Sequence, residues 1–152
     1  MMIPTALKHK TRQTTEAEIT EDDMHVFTKG ACYVLAREIS SLTGWPIHCF
    51  KDDHREPNFH AFVVPQTGWR LDVEGLSRSQ DHDKRWEWAL LKQDKRWQRK
   101  SKNFSQFSYE QIVKCRDRRN NGFVHRQERH AERAAQIAPL LISLANDPQN
   151  RL

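Results

Sequence analysis

Apolar side chains at positions 32, 35, 36, 39 and 42 fall on one face of a helix, and the thirty residues after them switch to the short period of strands. A chain that changes period in this way has to pack a helix against a small sheet, because neither buries its apolar side alone. Thr43-Gly44 supplies the stop, since glycine readily takes the left-handed position just past a helix end. Residues 45–50, 58–64 and 69–75 are predicted strands, enriched in β-branched and aromatic residues. The polar stretch 51–57 separates the first two. Pro65-Gln66-Thr67-Gly68 separates the last two and has the length of a hairpin connection.

The flanks read differently. Residues 1–23 are polar and Thr/Glu-rich and are expected to form an N-terminal arm, with a core unit over 24–76 and a basic helical extension over 77–152. In the extension, 83–91 is a predicted helix, and Ser108 has the character of a cap for a second, with Glu110 and Gln111 in its first turn. Residues 124–146 are predicted as a last helix that Pro139 should kink or break. The expected fold class is α+β in a single domain of 152 residues: a short antiparallel sheet on a central Cys-bearing helix, with helical C-terminal elaboration.

Composition narrows the function classes. No stretch approaches the roughly 20 apolar residues of a membrane span, and the N-terminus lacks the apolar core of a secretory signal, so no membrane partner and a cytoplasmic location are expected. The three cysteines, Cys32, Cys49 and Cys115, are odd in number and form no CxxC pair, so reduced thiols are expected rather than a disulfide framework or zinc ribbon. Cys49 reads as core. Charge is uneven: residues 1–80 carry nine Lys/Arg against eleven Asp/Glu, and residues 81–152 carry sixteen against nine. A basic second half is compatible with a nucleic-acid or acidic-protein partner.

Cys32 stands at the start of the predicted helix, directly after Gly30-Ala31. There the positive end of the helix dipole favours the thiolate, which is the reactive form. The small residues before it let a substrate approach. His60 lies on the second strand and Asp72 on the third. If the strands pair symmetrically about the 65–68 turn, His60 faces position 73 with Asp72 adjacent, and a slip of one residue brings His60 and Asp72 to one face. A carboxylate on one imidazole nitrogen would leave the other for the thiol, in the order nucleophile, base and orienter.

Gly-Ala-Cys at a helix start, Phe-His-Ala on a strand and Leu-Asp-Val-Glu-Gly on the next resemble the papain-like superfamily over about residues 28–76. The closest likeness is to its minimal transglutaminase-like, NlpC-type and toxin-deamidase branches. The resemblance implies Cys32 as nucleophile, His60 as base and Asp72 as orienter, no cofactor, and a protein substrate. Gly30, Ala31 and Trp69 are the expected substrate contacts. The activity implied is acyl transfer on an amide, by a cysteine peptidase, isopeptidase or glutamine deamidase.

Other readings remain open at this level. Cys32, His60 and Asp72 are also metal-ligand types. Trp86, Trp88 and Trp97 lie among lysines and arginines, a pattern that suits either base stacking in a non-enzymatic binding module or tryptophans docked on a core with the cations outside. The second arrangement is the expected one.

Overall fold

The computed structural model describes residues 18–51, 57–93, 104–119 and 122–151. Its elements are α1 (Glu21–Lys29), α2 (Cys32–Thr43), β1 (Ile47–Lys51), β2 (Pro57–Val63), β3 (Trp69–Asp72) and β4 (Gly75–Arg78). They continue with α3 (Ser79–Gln93), β5 (Phe104–Gln106), α4 (Tyr109–Arg119), α5 (Phe123–Glu128), α6 (Ala131–Asn146) and a closing 3-10 turn (Pro148–Arg151). The five strands form one antiparallel sheet in the order β4-β3-β2-β1-β5, so the chain is α+β as expected. No described helix is long and apolar enough to cross a membrane.

Helix α2 forms where its pattern places it. Gly44 ends it in the left-handed region (φ 76°) and donates its N–H to the Ser40 carbonyl at 2.7 Å. Its apolar face, with Leu35, Ala36 and Ile39 buried, meets Ile47, Cys49, Ala61, Val63 and Leu71 of the sheet. Ala134, Ile137, Ala138, Leu141, Leu144 and Ala145 of α6 complete the same core. The C-terminal helical segment is therefore integral to the core of 24–76 rather than an elaboration upon it.

The opposite face of the sheet is aromatic. His48, His60, Phe62 and Phe104 lie there with His82 and Trp86 of α3, in a chain of stacked and edge-on ring contacts. Strand alternation divides β2 between the two sides: Ala61 and Val63 enter the apolar core, while His60 and Phe62 face α3.

Several expectations are corrected. The polar N-terminal arm stops short of residue 23, because α1 begins at Glu21. Thr20 and Asp23 close a reciprocal capping box over its first turn, and Arg133 of α6 holds Asp23 at 2.7 and 2.9 Å. The third predicted strand is two strands: β3 ends at Asp72, Val73-Glu74 make a two-residue turn, and Gly75 (φ 105°) opens β4 opposite Asp72. The last predicted helix divides at Arg129-His130, not at Pro139. Pro139 and Ala135, whose carbonyl loses its bonding partner, both lie on the exposed side of α6, where water can replace that bond. Ser108 does cap α4: its Oγ accepts the Gln111 N–H at 3.1 Å, and its own N–H reaches the Gln111 side chain at 2.7 Å.

Candidate active site

Three elements bring Cys32, His60 and Asp72 together. Cys32 is the first residue of α2, so its thiol stands at the positive end of the helix. The Ala61 N–H donates to its Sγ at 3.4 Å. That donor belongs to β2 near the point where it joins β3 through the Val63–Leu71 pair, so the thiol enters the sheet beside this junction. Val63–Leu71 is one residue away from the register expected of a symmetric hairpin. Continued along the strands, it sets Phe62 opposite Asp72 and makes His60 the diagonal neighbour of Asp72 on the same face. The one-residue slip expected to bring His60 and Asp72 to one face is thus present.

His60 Nε2 and Asp72 Oδ2 are 2.8 Å apart, and both side chains are buried. The other carboxylate oxygen, Oδ1, accepts the Glu74 N–H at 2.9 Å, which locks the carboxylate into the β3–β4 turn. His60 Nδ1 is buried and outside the geometry of a closed hydrogen bond. The Cys32 thiol is nonetheless near enough to act on this imidazole. Trp86 lies flat on the imidazole, ring centroids 3.6 Å apart and planes 15° from parallel.

The electrostatics follow from this packing. Burial alone would push the Cys32 thiol up, but His60, Arg116 and the Ala61 N–H together outweigh it and hold the thiol below its ordinary value. Burial would likewise lower His60, yet its contacts with Asp72 and Cys32 raise it to about 9. Asp72, for which burial works upward, is held well below the usual carboxylate range by His60 and His82. Cys32 and Asp72 are thus drawn down and His60 up, each by its neighbours in the set.

Glu74 goes the other way: burial and the Asp72 charge raise it to about 7. A carboxyl raised in the folded state keeps its proton there, so its cost to stability is absent below about pH 4.5 and complete above about pH 7. Glu74→Gln is expected to stabilise the protein by about 2–3 kcal/mol at pH 8 and by almost nothing at pH 4. Chemical denaturation of both proteins at the two pH values checks this.

The remaining expected contacts divide. Ala31 caps α2 and is fully buried beside Cys32, and Gly30 ends α1 just before it. Trp69 stands at the far end of β3 from Asp72, about 10 Å along the strand. Arg78 covers its ring at 5.0 Å, and no described contact brings it to the thiol. Cys49 is core as expected, while Cys115 is buried with its thiol directed to the Pro57 carbonyl at 3.4 Å. Trp86 docks on the protein interior. The side chain of Trp88, together with Trp97 and its basic neighbours over 95–100, lies outside the described residues.

Two residues of this site went unread in the sequence, His82 and Glu74. His82 is buried on α3, with Nε2 3.3 Å from Asp72 Oδ2 and Nδ1 2.9 Å from Asp83 Oδ1. A usable signal lay in the spacing of His82 and Trp86, four residues apart and hence on one helix face. His60, Asp72 and His82 also form a set of metal-type donors, all within 4.8 Å of one another. Around a tetrahedral ion with bonds of about 2.0–2.2 Å, ligand atoms lie roughly 3.3 Å apart. The 2.8 Å His60–Asp72 contact is instead hydrogen-bond length, spanned by a proton.

Comparison with known proteins returns no matching family model, no matching curated protein and no matching solved structure.

Proposed function

We propose that this chain is a thiol-dependent acyl-transfer enzyme acting on an amide, a cysteine peptidase, isopeptidase or glutamine deamidase of papain-like type. The supporting observation is the buried 2.8 Å contact of His60 with Asp72, beside a helix-terminal thiol held below its ordinary value by His60. In this reading the Cys32 thiolate attacks the amide carbonyl, and the C–N bond breaks as His60 gives its proton to the departing nitrogen. Water then adds to the thioester, losing a proton to His60, and the carboxylic acid leaves as the Cys32–acyl bond breaks. Asp72 keeps Nε2 of His60 occupied, so that Nδ1 serves the thiol. Hydrolysis and deamidation share this thioester and differ in which nitrogen departs.

Formation of the thioester can be tested without knowing the natural substrate. After incubation with p-nitrophenyl acetate, the protein is expected to gain one acetyl group, mapped by peptide mass to Cys32, with a burst of p-nitrophenol. The burst should vanish in Cys32→Ser and fall at least about a hundredfold in His60→Ala. Acetylation spread over Cys32, Cys49 and Cys115 alike, and indifferent to His60, would contradict the reading.

A further inference from the structure

Asp72 serves two histidines. Its Oδ2 lies 2.8 Å from His60 Nε2 and 3.3 Å from His82 Nε2, while Oδ1 holds the Glu74 N–H. On the far side of His82, Nδ1 lies 2.9 Å from Asp83 Oδ1, and Asp83 is 3.5 Å from Arg70 Nε. Phe62 and Phe104 wall the ring in, with centroids 4.5 and 5.7 Å away. The result is an alternating series running from the buried thiol to the partly exposed Asp83 and Arg70: Cys32, His60, Asp72, His82, Asp83, Arg70.

Both nitrogens of His82 face carboxylate oxygens. An imidazole N–H can serve either carboxylate, so the ring bridges Asp72 and Asp83. At 3.3 Å from Oδ2, the ring is a polar neighbour that helps hold the Asp72 carboxyl below the usual carboxylate range. A polar group at this distance in a dry interior acts strongly on a carboxylate.

We infer that His82 is a positioning residue of the Cys32 centre, braced by Asp83 and Arg70, which holds the Asp72 carboxylate aimed at His60. This rests on the thiol-enzyme reading and adds a residue to it that the nucleophile–base–orienter pattern does not contain. Other charged groups act on the same centre: Glu74 in the β3–β4 turn, Arg85 on α3 at 3.8 Å from Glu74, and Arg116 on α4, whose charge reaches Cys32.

The test follows the ultraviolet absorbance of the Cys32 thiolate, taken as the difference from Cys32→Ser, across pH in the wild type, His82→Gln, Asp83→Asn and His60→Ala. At a pH below the wild-type midpoint, His82→Gln is expected to hold about three- to tenfold less thiolate, and Asp83→Asn a smaller deficit in the same direction. Asp83 is partly exposed, so Asp83→Asn keeps the test open if the His82 variant does not fold. A brace with only a packing role would lower the melting temperature and leave the thiolate profile in place, which overturns the inference. So would His82-dependent, stoichiometric uptake of Zn2+ by the wild type, because a metal would then account for the donor cluster. If His60→Ala shifts the profile and neither His82→Gln nor Asp83→Asn does, only the role of His82 is lost. If His60→Ala shifts nothing, the thiol-enzyme reading itself fails.

Discussion

Replacing Asp72 by Ala is expected to destabilise the protein by about 3–5 kcal/mol, the range for removing one partner of a buried charged pair. The carboxylate meets His60, His82 and the Glu74 N–H at once, and all of these lie in the interior. Its loss leaves polar groups there that water cannot reach. Asp72→Asn retains one acceptor oxygen, enough for the Glu74 N–H or for His60 but not for both, so it should cost less than alanine while still removing the charge that raises His60. Urea denaturation at pH 7 separates the two variants; equal losses would show that the contacts of the carboxylate, rather than its charge, are of little account. The pH dependence has a definite sign. Asp72 is depressed in the folded state, so its stabilisation is complete above its ordinary value of 3.8 and is lost as pH falls through the folded one. The acid-side decline below about pH 4 should be shallower in Asp72→Asn than in the wild type.

Trp86→Ala should have a large effect of a different kind. Cys32 is only 3% exposed and His60 is fully buried under the indole, so Trp86 covers one face of the imidazole. Truncating the indole should raise the rate at which iodoacetamide alkylates Cys32 by about tenfold, through access. It should also cost about 3–5 kcal/mol of stability. Trp86→Phe preserves an aromatic cover and should stay close to the wild type in rate. An alkylation rate unchanged in a folded Trp86→Ala protein would place the route to the thiol elsewhere.

What could be read in the sequence was what local chemistry dictates. Helix α2 announces itself by five apolar positions and a Gly44 stop, and the three predicted strands by composition and punctuation. The order Cys32, His60, Asp72 on helix, strand, strand was enough to nominate the site. Register was less legible, because residues 65–68 fit more than one pairing and a single residue decides which face Asp72 takes. Strands β4 (Gly75–Arg78) and β5 (Phe104–Gln106) are short, polar edge strands of the sheet without clear alternation, so no local signal marks them. Helix α1 did carry a signal, Thr20 with Asp23 three residues on, hidden within a polar stretch. His82 belongs to the site only through tertiary packing: it precedes the helix predicted over 83–91, and only the sheet beneath it supplies Asp72.

The most direct measurement of the central claim is the ionisation of Cys32 in the wild type and in His60→Ala, followed by thiolate absorbance from pH 5 to pH 10. With His60 present, the thiolate should persist well below the ordinary thiol value of about 8.5. With His60 gone, burial is left to act without its main counterweight, and the midpoint should rise to 8.5 or above. Coincident curves from the two proteins would show that His60 does not act on Cys32, and the proposed nucleophile and base would not form a catalytic pair.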